Sequence, residues 1–285
     1  MTATEGLVSS LRTIASLLAI MGLVAVVEAA VPLHARGSWH KVHVGPNLAL
    51  TFITFGTSLV FNMALVSILF ALDASHVSLL RLLSLPPLAT TALAVLLLDL
   101  SFYVAHRAMH WSPSFWRFHA IHHSDPAVDV TTTVRQHPGE TVIRYGFMAA
   151  FAIAFGTPPE AFALYRVWSV VNGFLEHANV RVPRRLDTVF SGIVTTPNMH
   201  KVHHSRSIGE TNTNYGNIFS IFDRLCATFT PSERGTRIVY GLNGFDDVAL
   251  HSTGALLWQP LRGPRRQMQG GTVPEQLIAD QSGVV

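Results

Sequence analysis

The stretch PLATTALAVLLLDLSFYVAHRAMHWSPSFWRFHAIHH, Pro87–His123, decides how the chain is read. Its first half, Pro87 to Val104, is an apolar run entered through Pro86-Pro87. Its second half carries His106, His110, His119, His122 and His123. A bilayer needs about 20 apolar residues to cross, and a proline at the first helical position costs the helix nothing. The run therefore reads as a membrane span that ends directly in imidazoles. His106 and His110 stand at i and i+4, on one helical face. His119, His122 and His123 stand at i, i+3 and i+4, again largely on one face.

The rest of the chain agrees with a membrane setting. Of 285 residues, 13% are charged and 49% hydrophobic, with mean hydropathy +0.34. Soluble domains carry about 25% charged residues. Two more apolar runs, Ile14 to Leu33 and Leu48 to Leu72, are long enough to span. The first follows Arg12 and contains Ala29-Ala30, like a signal peptide, but Glu28 sits where a cleavage region should be small and neutral. It is read as a retained span. A block from Tyr145 to His177 is broken by Gly156-Thr157-Pro158-Pro159. Gly and Pro punctuate helices, so the block reads as a helical hairpin, Pro138 to Phe155 and Pro159 to His177, dipping into the membrane and returning.

Three spans place the N-terminus and the histidines on opposite faces. Arg36, Lys41, Arg107, Arg117, Arg135 and Arg181 fall on the histidine side. The positive-inside rule makes that side cytoplasmic. The tail after Trp258 is rich in Gly, Pro and Gln, and disorder is expected there. The expected fold class is an all-α integral membrane helical bundle with a histidine-rich cytosolic cap holding a dimetal site. Residues 1–86 form N-terminal spans, 87–230 a catalytic domain, and 231–285 a partly disordered C-terminal extension. The pI near 9.3 suits a chain lying against anionic lipid. No basic stretch is interleaved with aromatics, so no nucleic-acid partner is expected.

Histidine is the unusual component, with 15 in the chain. His200, His203 and His204 repeat the i, i+3, i+4 spacing. His177 ends the hairpin, and His137 precedes it in Gln136-His137-Pro138-Gly139-Glu140. These ten candidate metal ligands are too many for one ion and suit two ions of high coordination number. A zinc site uses three or four protein ligands. Imidazole by itself accepts Zn, Cu, Fe or Ni. The ligand count and the membrane setting favour two iron ions, replaceable by zinc on purification. Soluble di-iron bundles use Glu and Glu-x-x-His instead. Cys226 is the sole cysteine, which excludes a disulfide framework and a cysteine metal site.

His34, His40, His43, His76 and His251 are read as ordinary surface or satisfied residues. His137-Pro-Gly resembles the haem-ligand turn of cytochrome b5, a reading rejected because an apolar hairpin follows it. Asp125, Glu140, Glu176, Asp223 and Arg224 are candidates for holding ligand imidazoles from behind. The segment Asn212 to Phe229 reads as a turn and a capping helix. Two rival classes are a membrane metal transporter and a zinc hydrolase. Transporters favour ligands inside spans or in loose loops, and no HExxH is present, with Arg107 and Ile121 at the inner box positions.

HRAMH (His106–His110), HAIHHS (His119–Ser124), RQHPGE, LEHANV, TPNMHKVHHS and NTNYGNIFSIFDRLCATF, taken together, resemble the fatty acid hydroxylase / sterol desaturase superfamily over roughly Leu97 to Thr230. The TTTVRQ stretch, Thr131 to Gln136, is most similar to its alkylglycerol monooxygenase branch. The resemblance implies a four-helix-type membrane domain with a cytosolic cap and a non-haem di-iron centre. It implies an enzyme that uses O2 as co-substrate to oxidise a C–H bond of a lipid or sterol-like substrate, by hydroxylation or desaturation. The superfamily's ligands fall on His106, His110, His119, His122, His123, His177, His200, His203 and His204. Position 173 is Gly where some members carry a further histidine. Either His137 supplies that ligand or the site is one short. No haem, flavin or iron–sulfur motif is visible, so a separate electron donor is expected.

Overall fold

The computed structural model describes residues 3–35, 37–76 and 78–262. Among these there are twelve α-helices and no β-strand. They are α1 (Ala3–Ala30), α2 (Trp39–Ala74), α3 (Leu79–Leu82), α4 (Pro87–Trp111), α5 (Pro113–His123) and α6 (Pro138–Phe155). There follow α7 (Pro159–His177), α8 (Arg184–Phe190), α9 (Pro197–His203), α10 (Ile208–Thr211), α11 (Ile221–Leu225) and α12 (Thr253–Trp258).

Three helical stretches are long and apolar enough to cross a membrane: Thr4–Ala30, Trp39–Leu82 and Pro87–Trp111. Large apolar side chains such as Leu23, Phe52, Val60 and Leu88 face outward from them, as lipid-facing residues do. At 1.5 Å per residue, the 36 residues of α2 reach about 54 Å, against roughly 30 Å of hydrocarbon. One end must therefore run on into the protein. That end holds His40, His43 and Asn47, ahead of the apolar run read from sequence. The 25 residues of α4 reach about 38 Å, and the C-terminal end of the helix carries His106 and His110.

α6 and α7 form the hairpin at the boundaries expected. Gly156 closes α6 in the left-handed region, φ +61°, where a Cβ would also lie 2.6 Å from Ser78. Pro158 and Pro159 then start α7. Among the described residues three helical stretches qualify as spans by length and composition, and neither α6 nor α7 is among them. Val142, Ile153, Leu164 and Trp168 of the hairpin are exposed, and the rest of its apolar surface packs on protein. Tyr145, Met148, Ala152, Phe162 and Tyr165 join Leu65, Leu69, Val95 and Leu98 of α2 and α4 in one core. A second core joins Leu17, Met21 and Val24 of α1 to Phe55, Phe174 and Ala178.

Buried ionic groups tie the long helices to the segments between and after them. Glu28, at the end of α1, accepts hydrogen bonds from the backbone N–H of Val130 (2.8 Å) and Asn179 (2.7 Å). This buried role explains a carboxylate in an otherwise apolar helix. Asp99 of α4 accepts from the backbone N–H groups of Ile218 and Phe219. Arg135 is fully buried and donates to the Ile121 carbonyl (2.9 Å), Asn47 Oδ1 (2.7 Å) and Ser124 Oγ (2.9 Å). Asp125 accepts from Asn47 Nδ2 and Thr132 Oγ1, each at 2.8 Å. Burial opposes ionisation of Asp125, but His43 and Arg135 beside it outweigh burial and hold its carboxyl well below the usual range.

The segment after residue 230 folds back. Leu242, Phe245 and Leu256 pack with Leu50, Ala120 and Ile121. Gln259–Arg262 form a 3₁₀ turn. The disorder expected for the tail beyond it falls on 263–285, outside the described residues.

Candidate metal centre

Nine of the ten candidate histidines converge, in two groups. His106, His110, His119, His123 and His203 form one, and His122, His177, His200 and His204 the other. Within each group the ligand atoms lie within 4.8 Å of one another. Helical geometry deals them out. On α5, His119 and His123 are four apart and share a face, while His122 is offset by about 100° and enters the other group. On α9 the pair four apart, His200 and His204, joins the second group, and His203 joins the first. The stacked rings of His123 and His204, 4.5 Å between centroids, form the wall between the groups.

Hydrogen bonds behind the rings fix which nitrogen faces inward. His106 Nδ1 donates to the Tyr215 carbonyl (2.8 Å), His177 Nδ1 to the Gly173 carbonyl (2.8 Å) and His203 Nδ1 to the Thr213 carbonyl (2.7 Å). A carbonyl only accepts, so these neutral rings keep a bare lone pair on Nε2. His119 Nδ1 lies 3.0 Å from Glu140 Oε1, and His200 Nδ1 3.7 Å from Glu176 Oε2. The inward Nε2 atoms then crowd together. His119 Nε2 is 3.0 Å from that of His106 and 3.1 Å from that of His123. His177 Nε2 is 3.1 Å from those of His122, His200 and His204. The Nε2 atoms of His110 and His203 are buried without a partner. Lone pairs facing one another repel unless a cation lies between them. Right-angle neighbours on an ion with bonds of about 2.1 Å stand about 3.0 Å apart, so the donor set fits a metal in each group.

Electrostatics agree. Burial first, and mutual repulsion second, push His119, His122, His123, His200, His203 and His204 well below their ordinary pKa. Neutral imidazole is the form that ligates. A pH dependence follows. These rings resist protonation in the folded chain but take a proton near pH 6.5 when unfolded, so the unfolded state binds more protons below that pH. Stability is therefore full above about pH 6.5 and falls with acid, by roughly 1.4 kcal/mol per pH unit for each ring that stays neutral. Chelator-treated protein in detergent should melt at clearly lower temperature at pH 5 than at pH 7. A flat profile would show that the rings are solvated.

His137 stands apart from both groups. Its Nδ1 accepts from Gly139 N–H (2.9 Å) as the N-cap of α6, and its Nε2 contacts the Leu257 carbonyl at 3.1 Å. With both nitrogens engaged it supplies no tenth inward atom. Of the carboxylates singled out from sequence, Glu140 and Glu176 back ligand-position rings. Asp223 acts one step removed, accepting from Tyr215 and Gly216 N–H (2.8 Å each) and so fixing the carbonyl that His106 uses. Asp125 backs His43 instead, and Arg224 bonds the Ser191 carbonyl and lies over Phe229. His43 and His251, read as ordinary, are fully buried in the Asp125–Arg135 network. The spacing of His40 and His43, one helical turn apart, was a signal for the first of them.

A cavity of about 90 Å³ touches both groups, through His106 and His119 on one side and His122, His177 and His200 on the other. A second cavity of about 300 Å³ lies between α1, α2 and α7, lined by apolar side chains such as Leu17, Val66 and Phe162. Phe55, Ser58, Arg166 and Val170 line both cavities and so form the partition.

Comparison with known proteins bears on this arrangement. The fatty acid hydroxylase family model matches residues 91–228. The ornithine lipid hydroxylase OlsE of Rhizobium tropici is 34% identical over 187 residues, covering 65% of this chain and 54% of that protein. The alkylglycerol monooxygenase of Caenorhabditis elegans is 31% identical, over 53% of this chain and 30% of its own length. The human alkylglycerol monooxygenase is 28% identical, over 52% and 32%. The chain spans about half the length of the first of these relatives and about a third of the others. No solved structure gives a significant match. Eight of the nine clustered histidines lie on helices within the matched segment and the ninth, His204, caps one of them, so the segment that carries the histidines is the one that is similar to the fatty acid hydroxylase family.

Proposed function

We propose that the chain is a membrane-embedded, O2-dependent lipid hydroxylase whose nine clustered histidines hold two iron ions. The observation that carries this reading is the convergence of bare Nε2 lone pairs in two adjoining groups, both open to one cavity. When bound, two irons would supply O2 activation for the balance R–H + O2 + 2 electrons + 2 protons → R–OH + water. The chain's own residues do the rest. Outward hydrogen bonds from Nδ1 orient the rings of His106, His177 and His203, and Glu140 stands 3.0 Å behind His119. The 90 Å³ cavity holds little beyond the reacting carbon and O2, which keeps bulk water from the reaction. The apolar 300 Å³ cavity suits the acyl chain of a lipid entering from the bilayer. Its polar head then stays near the cap.

In this reading residues 1–86 anchor and line the substrate path, 87–230 carry catalysis, and a separate protein on the cytoplasmic side delivers electrons. The curated relatives act on lipids, by their names an ornithine lipid and alkylglycerols, which supports a polar lipid as substrate.

Protein purified in mild detergent from iron-57-fed cells should contain two irons per chain with the Mössbauer signal of a coupled pair. It should also incorporate label from 18O2 into lipid. Zinc alone after growth in iron-rich, zinc-poor medium, with oxygen-independent turnover, would move the assignment to a hydrolase. A second expectation concerns the partition between the cavities. Val170→Trp should fill the junction and slow oxidation of a long-chain lipid by on the order of 10–100-fold, as expected for misplacing a substrate. Metal content should not change. Unaltered turnover would place the substrate path elsewhere.

A further inference from the structure

His40 and His43 project from the first turns of α2, one helical turn apart, and meet Asp129 in the loop after α5. We propose that these three residues form a third cation site, separate from the nine-histidine centre. It would take one divalent first-row ion, zinc by its geometry, through two imidazoles and one carboxylate.

The distances favour an ion over direct contact. Asp129 Oδ2 stands 3.6 Å from His40 Nδ1 and 3.5 Å from His43 Nε2. Hydrogen bonds of this kind run about 2.7–3.2 Å, so both gaps are too long. Two ligand atoms on a tetrahedral ion with bonds of about 2.0–2.1 Å stand about 3.3–3.4 Å apart, close to what is seen. His43 is fully buried, and its Nε2 has no hydrogen-bond partner. Asp129 Oδ1 is already engaged, accepting from Thr131 N–H (2.8 Å) and Thr131 Oγ1 (2.6 Å). Its second oxygen is thereby aimed at the two rings.

The surroundings are built for a ligated imidazole. His43 Nδ1 lies 3.0 Å from Asp125 Oδ1 on the side away from Asp129. Asp125 is itself held by Asn47 and Thr132. A carboxylate behind a histidine fixes the ring with its bare nitrogen outward, the arrangement that metal-bound histidines use. Asp125 and Asp129 together outweigh Arg135, so the pocket has negative charge to spare. A cavity of about 50 Å³ adjoins His40 and Asp129, bounded by His34, Trp39, Asn179 and Tyr240. A water needs about 10–15 Å³ of such space, so a fourth, water ligand has room. The ion would fasten a membrane helix to the loop that follows the His119–His123 box.

The alternative is a metal-free network, in which a doubly protonated His43 bridges Asp125 and Asp129. Metal counting separates the two. The full chain in mild detergent is treated with chelator and loaded with Co2+ alone. The same is done for His40→Ala and for Asp129→Asn. The His40 side chain is 31% exposed, and asparagine keeps an oxygen for Thr131, so both variants should melt near wild type before loading. The expected result is one fewer cobalt per chain in each variant, with loss of the visible band of tetrahedral cobalt. That difference stands whatever the nine-histidine centre holds. Equal cobalt in all three proteins overturns the proposal and leaves His43 as a bridging imidazolium.

Discussion

Replacing His177 by alanine should cut the iron content from two ions per chain to about one and abolish lipid oxidation. Its Nε2 is the atom closest to all the others in its group, 3.1 Å from His122, His200 and His204. Removing it leaves three imidazoles around a gap on the side facing the cavity. Loss of a hydrogen-bonding partner behind a metal ligand already costs about 10–100-fold in affinity or activity. Loss of the ligand itself should exceed about 100-fold. His137→Ala is the matched comparison. It removes the cap that accepts from Gly139 N–H, which is worth about 1 kcal/mol, and should leave the iron count at two. Metal analysis beside a turnover assay checks both. Full metal content in His177→Ala would mean that His177 is no ligand, and loss of metal in His137→Ala would restore the tenth.

Arg135→Met should lower stability by about 3–5 kcal/mol, the usual result of removing one partner from a buried ion pair. In detergent this corresponds to a melting shift of about 10 °C. The guanidinium satisfies the Ile121 carbonyl, Asn47 Oδ1 and Ser124 Oγ at once and faces the buried Asp125. Without it, Asp125 keeps its charge with fewer partners. Adding Asp125→Asn to Arg135→Met should then recover part of the loss, because the unpaired charge goes too. Additive losses in the double variant would show that the two residues do not depend on each other.

Much of this was legible in the sequence, because it rests on local rules. Gly156 and Pro158-Pro159 marked the hairpin turn, the i, i+3, i+4 spacings marked eight converging histidines, and the end of the hairpin marked the ninth, His177. Where reading went astray, one local pattern served two physical ends. His137-Pro-Gly is as good a helix start as a ligand turn. The apolar residues of α6 and α7 divide between contacts with α1, α2 and α4 and an exposed set, and no local pattern marks which is which. The polar beginning of α2 was hidden because His43 and Asn47 are buried against protein, which no hydropathy window registers. The pairing of Arg135 with Asp125 and of Glu28 with two backbone N–H groups joins distant positions, and nothing local announces such contacts.

The way α5 and α9 share out their histidines has a consequence for insertions and deletions. α5 gives two imidazoles to the first group and one to the second, and α9 gives one and two. The partition is written in helical phase alone. One residue inserted between His119 and His122 would rotate the later two rings by about 100°, so that each group loses an imidazole at a stroke. A single-residue slip in either short helix thus reaches both histidine groups. Substitutions can be confined to one group, whereas changes in length cannot.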